Sequence, residues 1–307
     1  MKQFLKNLCI LAIFSLLACK SDTHKPIALT APASGKVAVA TSKEFNDYWY
    51  SGKAELNSYT LKQSRYGEIR EGEVVLVFVT EPFSLSKQVK LDNEQVAGED
   101  NVPVMKLNQI RKFVTGIYDY SIMSSTFTPV DTATYPNTLK INSSIQEWCG
   151  HTFTQLNLQG DNYQFQEFSY FESEGDTERS IPIALLEEEL MTRIRLQKGE
   201  LQIGEIDLIF STLYSRLAHQ ELKVAKANIS KNQADDIVTY SIAYLNYDRT
   251  VTIDVQNEFP YSILSWTEDN GDGLITEATL KKSINEPYWN QKSLADEEMR
   301  TKLGLQK

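Results

Sequence analysis

The sequence predicts a mainly β chain, a β-rich α+β fold: one large, curved antiparallel sheet forming a barrel or half-barrel, with one long helix packed on or in it. Three observations carry this. Runs of strand length follow one another with tight turns and little helix between them. One of them, EVVLVFVTE, is apolar on both faces, as a central strand must be when something is packed over it. Leu186, Leu190 and Ile194 are spaced by four, with Pro182 ahead of them and Gly199 behind, which marks the one clear helix, over 183–197. So large a sheet must curl or close to protect its edges.

At the N-terminus, Met1 to Lys6 carries two lysines and no acid, and Leu8 to Ala18 reads LCILAIFSLLA, apolar except for Ser15. A charged start before an apolar run too short to span a bilayer is the plan of an export signal. The run closes on Leu16-Leu17-Ala18-Cys19, which fits the bacterial lipobox. Residues 1–18 are therefore expected to be removed, and Cys19 to become the lipidated first residue of the mature protein. Several acyl chains, at about 0.8 kcal/mol per buried methylene, hold such a protein at a membrane. The expected location is the outer membrane, facing the periplasm or the cell surface. Residues 19–42, rich in Ala, Ser, Thr and Pro with no aromatic, read as a flexible tether in which His24 is solvated.

Composition sets further bounds. A hydrophobic content of 41% and an aromatic content of 10% are those of a packed globule, which excludes general disorder. Net charge is −10, and cleavage removes Lys2 and Lys6 as well. An acidic chain without a basic stripe is a poor partner for nucleic acid. Of three cysteines, Cys9 leaves with the signal and Cys19 takes lipid, so Cys149 has no partner for an internal disulfide.

A β-rich globular domain is expected over 43–290. Ser42 caps a short helix bearing Phe45, Tyr48 and Trp49, with Gly52 as its stop. AELNSYTLKQSRY and EVVLVFVTE come next, with a turn expected around Arg70-Glu71-Gly72, and then a polar loop over 92–101. Strands are expected at about 102–116, 118–128, 138–147, 151–158 and 162–171, the last two joined through Gln159-Gly160-Asp161-Asn162. After the 183–197 helix, strands are expected at about 205–217, 220–230, 236–245, 249–256, 260–267 and 274–284. In the fourth of these, Val251, Ile253 and Val255 alternate with Thr250, Thr252 and Asp254, a half-buried antiparallel pattern. Residues 291–307 form a C-terminal helix or tail, opening on the capping pair Ser293 and Asp296.

Two clusters carry possible chemistry. Cys149 and His151, in QEWCGH, are two apart and share a face if that segment is a strand. A neighbouring imidazole can lower a thiol's pKa and make a nucleophile, or the pair can begin a zinc site. The competing and favoured expectation is a small buried hydrophobe beside Trp148. Glu268, Asn270 and Asp272 fall in register with a calcium loop, followed by Gly273 and Ile275. Position twelve is Thr279 rather than the needed glutamate, and both flanks read as strands. An Asn-Gly-Asp-Gly hairpin explains the same letters and is the favoured expectation. Glu187-Glu188-Glu189 and Glu172-Ser173-Glu174 read as solvated faces. No motif for a cofactor occurs, so none is expected.

The stretches KEFNDYWYSGKAEL, RYGEIREGEVVLVFVTEPFS, QEWCGHTFTQLNL and SYFESEGD resemble an uncharacterised family of lipoproteins from the Bacteroidota, over nearly all of Lys43 to Trp289. Some of its members carry the label "septum formation inhibitor Maf". Maf nucleotide pyrophosphatases are cytoplasmic α/β proteins, unlike this exported, strand-rich chain. The resemblance therefore implies a location and a fold class, and no activity.

Two functions from different classes are expected. The first is a non-catalytic binding or scaffolding lipoprotein, membrane-bound through its lipid, that holds an apolar ligand or an envelope protein. The alternative is an envelope hydrolase or transferase using Cys149 with His151.

Overall fold

The structure, a computed structural model, describes residues 41–305. The expected signal, Cys19 and the expected tether up to residue 40 lie outside the described residues. Helix α1 (Lys43–Trp49) opens at Ser42, whose hydroxyl accepts the Phe45 N–H at 3.1 Å, and it buries Phe45 and Trp49. Eight strands then pair in chain order. They are β1 (Ala54–Arg65), β2 (Glu68–Glu81), β3 (Val104–Thr115), β4 (Tyr118–Pro129), β5 (Lys140–Glu147), β6 (Gly150–Gln159), β7 (Asn162–Ser169) and β8 (Thr177–Pro182).

The chain next makes β9 (Leu185–Leu186), a single 3-10 turn (Glu187–Glu189), α2 (Leu190–Leu196), β10 (Gly204–Ile209) and α3 (Thr212–Leu217). A second run of hairpins completes the sheet: β11 (Val224–Ala234), β12 (Ile237–Tyr244), β13 (Thr250–Gln256), β14 (Ile263–Asp269) and β15 (Ile275–Glu286). Because β15 pairs with β1, all strands join one 15-stranded sheet. Every pairing is antiparallel except the short parallel contact of β9 with β10. The sheet is curved and unclosed. Its two end strands, β8 and β9, are consecutive in the chain, so a seam runs between them.

Each strand turns one set of side chains toward a single core that draws on both runs of hairpins and on the three helices α1 to α3. The doubly apolar β2 behaves as the sequence predicts. Val74, Leu76 and Phe78 enter the main core, while Val77 and Val79 lie on the other face with Ala54 and Leu56. The cover on that outer face is the C-terminal segment: α4 (Glu298–Lys302) ends in Leu303, which packs there with Leu305. Ser293 and Asp296 form their capping pair just before it.

Four expectations need correction. The β1–β2 turn is Tyr66-Gly67, with φ of 56° and 73°, the double positive φ of a tight hairpin turn. Arg70-Glu71-Gly72 lies inside β2, where Gly72 is required because a Cβ there would sit 2.2 Å from the Lys112 carbonyl oxygen. The long 183–197 helix shrinks to the seven residues of α2, although Leu186, Leu190 and Ile194 all point into the core. The strand expected over 205–217 stops at Ile209, where Ser211 takes the N–H groups of Leu213 and Tyr214 and starts α3. The edge strand β8 has no counterpart among the expected strands, since TERSIP is too polar to show a strand period.

Candidate functional site

The concave side of the sheet is filled. Four buried arginines reach into it, each against a carboxylate. Arg195 meets Glu55 at 2.5 Å, Arg111 meets Glu268 at 2.6 Å, Arg249 meets Glu187 at 2.5 Å and Arg193 meets Glu189 at 2.9 Å. Two of these pairs, Arg195–Glu55 and Arg249–Glu187, tie α2 and the turn before it to β1 and to the residue ahead of β13, while Arg193–Glu189 lies within that segment. Such pairs exist only because each charge is neutralised and hydrogen-bonded at once. Arg195 also donates to the Pro260 carbonyl at 2.6 Å, and Arg111 to Gln63 at 2.8 Å. Arg111 and Arg249 together bring Glu268 below its ordinary pKa, against the burial that raises it.

Glu188 is the interior acid without an arginine. One of its oxygens accepts the backbone N–H of Thr212 and, at 2.8 Å, the Thr212 hydroxyl; the other has no hydrogen-bond partner among the described residues. Burial, with help from the charge of Glu187, pushes its pKa up to about 7. The cavity it faces, between Leu107, Arg111, Leu213 and Trp266, holds only about 50 Å³. Small-molecule sites run to roughly 300–1,000 Å³. The solvated glutamate run expected at 187–189 is thus a structural hub.

A wide cleft lies at the seam. It has a volume of about 640 Å³ and is walled by β6 to β8 on one side and by α3 with residues 219–222 on the other. Arg179 on β8 crosses it, meeting Glu221 at 3.3 Å and donating to the Leu222 carbonyl at 2.6 Å. Arg216 on α3 crosses in the other direction to Glu174 at 3.0 Å, and His219 Nδ1 sits 3.2 Å from the same carboxylate. Phe165 and Phe171 lie under the two guanidinium groups, each 4.7 Å away. The Glu167 carboxylate, also in the wall, has no ion pair or hydrogen bond of its own among the described residues, and burial and then the nearby Glu174 charge raise its pKa.

No family model matches this chain, and no curated protein does. Among solved structures it is similar to a β-barrel-like protein of the domain of unknown function DUF1849 from Brucella abortus. The two share 10% identity over 76% of this chain and 97% of that one, with a TM-score of 0.44.

The sequence-predicted residues are placed apart from this cleft. Cys149 occupies the two-residue turn between β5 and β6 and is exposed, as is Trp148 at 68%. The buried cysteine expected beside Trp148 is therefore corrected: Trp148 leans outward to donate to Asp119 at 2.9 Å. His151 is exposed at the start of β6, paired across the ladder with Gln146. The nearer neighbour of Cys149 is Glu147, which takes its backbone N–H at 2.7 Å. A hydrogen bond to that carboxylate, and then its charge, push the thiol pKa up, the reverse of activation.

Glu268, Asn270 and Asp272 line one cavity of about 310 Å³, but each is engaged by its own partner. Glu268 turns inward to Arg111, Asn270 accepts from Arg249, and Asp272 accepts the Leu274 N–H at 2.9 Å. They stand at the end of β14 and in the β14–β15 hairpin.

Glu167, Arg179, Ser215, Arg216 and Glu221 escape sequence reading because they come from separate segments and match no motif. Only Glu174 stands out in the sequence, as a solvated acid, and its two cross-seam partners correct that.

Proposed function

We propose that this chain is a non-catalytic binding module, lipid-anchored through Cys19 at the outer membrane, that receives an envelope protein at the seam. The observation that carries the reading is one of space: about 640 Å³ open at the seam, against about 50 Å³ beside Glu188, about 310 Å³ at the rim by Glu268 and about 350 Å³ by Val79 and Tyr288. Of the two expected occupants, an envelope protein suits a lining that sets Arg, Glu, Ser and Thr beside Phe165 and Leu222 better than an apolar ligand does. The alternative, an envelope hydrolase or transferase on Cys149 and His151, lacks both ingredients it needs. The thiol's pKa is raised rather than lowered, and its close neighbour is a carboxylate.

The test places a photocrosslinking amino acid at Gln220, in the cleft, or at Thr279, on the outer face, in cells that make the chain. A discrete adduct is expected from Gln220 and not from Thr279. It should disappear in Glu167→Lys, and Cys19→Ala should release the protein from membranes. Equal adducts from both positions, or a Cys19→Ala protein that still fractionates as an acylated membrane protein, would overturn the reading.

A further inference from the structure

We infer that the seam takes its partner as an added β-strand: an extended segment bearing a lysine or arginine pairs with the free edge of β8 and sets that cation against Glu167. The inference rests on the seam being the binding site and adds what binds there and how.

The free edge is the first support. β8 pairs with β7 from Thr177↔Glu167 to Pro182↔Asn162 and has no strand on its other side. In an antiparallel ladder every second residue directs its N–H and C=O away from its partner. Among the described residues none of those outward groups in Thr177–Pro182 finds another backbone partner. Such an edge is a template for a further strand, and recognition by strand addition draws its affinity from that row of hydrogen bonds.

The cleft lies against this edge, with Thr177 and Arg179 of β8 in its wall. Ser215 also lines it, is only 8% exposed, and its hydroxyl has no hydrogen-bond partner among the described residues. A buried unpaired hydroxyl carries a cost that an incoming polar group removes. Charge then selects the partner. Arg179 and Arg216 attract Glu167, which stands opposite Thr177, but are paired with Glu221 and Glu174, so the cleft sets three carboxylates against two guanidinium groups. An anionic segment would meet three carboxylates, whereas a basic one completes the balance. With six residues in β8, the added strand is about six residues and roughly 20 Å long.

The experiment uses the full lipidated chain in phosphatidylethanolamine–phosphatidylglycerol nanodiscs, panned against a library of random displayed heptapeptides. Recovered peptides are expected to carry a lysine or arginine and to slow hydrogen exchange of the β8 amides at least tenfold. Glu167→Gln, near-isosteric and checked for an unchanged melting temperature, should weaken them at least tenfold. N-methylation at alternate peptide nitrogens should abolish binding. Acidic peptides, peptides that tolerate N-methylation, or no enrichment over a Glu167→Lys control would overturn the inference. Protection confined to 215–222 would defeat strand addition while leaving the seam site standing; loss of the Gln220 crosslink would remove the site itself.

Discussion

Arg195 and Arg179 are built alike and placed differently. Each guanidinium lies over a phenylalanine, Phe78 at 4.8 Å or Phe165 at 4.7 Å. Each also meets a glutamate and donates to a backbone carbonyl at 2.6 Å. Arg195 and Glu55 are sealed from water, whereas the Arg179 side chain is 29% exposed and Glu221 59%. In the interior neither charge has water to return to, so each partner is indispensable to the other. At the seam water screens the pair and replaces either partner cheaply. The same chemistry therefore makes a permanent clamp in one place and an exchangeable contact in the other. A binding edge needs the second kind.

The sharpest way to break the comparison is to delete one arginine from each region. Arg195→Ala leaves Glu55 charged and buried, and urea unfolding should show a loss of about 3–5 kcal/mol. A loss below about 1 kcal/mol would mean that water reaches Glu55 after all. Replacing both partners, Arg195→Leu with Glu55→Leu, should recover much of the loss.

Glu188 gives the next largest effect. Folding raises its carboxyl from the ordinary 4.5 to about 7, so between those values the folded chain binds a proton that the unfolded chain has lost. Its contribution is fully present below pH 4.5 and is lost as pH rises through 7, amounting to roughly 3 kcal/mol at the alkaline end. Stability measured from pH 4.5 to 8 should fall more steeply in the wild type than in Glu188→Gln. Parallel curves would show that the carboxyl is not held away from water.

Arg179→Ala should give the smallest effect, about 0.2–1 kcal/mol in the same unfolding assay. A loss matching that of Arg195→Ala would make the seam a structural closure rather than a contact made to exchange.

The sequence shows much of the sheet and little of this contrast. The alternation of Val251, Ile253 and Val255 and the two apolar faces of β2 are local signals, and both survive into the structure. The Asn-Gly-Asp-Gly hairpin does as well. Glu187-Glu188-Glu189 is different, because three adjacent acids give the pattern of a solvated turn. Among their partners, Arg249, Tyr244, Thr212 and Thr138 are far away in sequence, and only Arg193 and the Leu186 N–H are near. Long-range pairing of charges leaves no period to read. The seam is equally silent: β8 is short and polar, and Glu167 matters only because the sheet ends one strand later. Cys149 shows the opposite failure. Its neighbour Trp148 suggests a buried thiol, but the chain turns at Trp148-Cys149 and puts it in solvent.

The central claim, that the sheet's interior is filled and binding belongs to the seam, is tested most directly by titrating the unlipidated chain, expressed from Lys20 onward, with the apolar dye N-phenyl-1-naphthylamine. A filled interior predicts a small, linear fluorescence rise with no saturation, unchanged by Arg179→Glu. Saturable binding of one dye per chain, again indifferent to Arg179→Glu, would contradict it by revealing an apolar cavity inside the sheet.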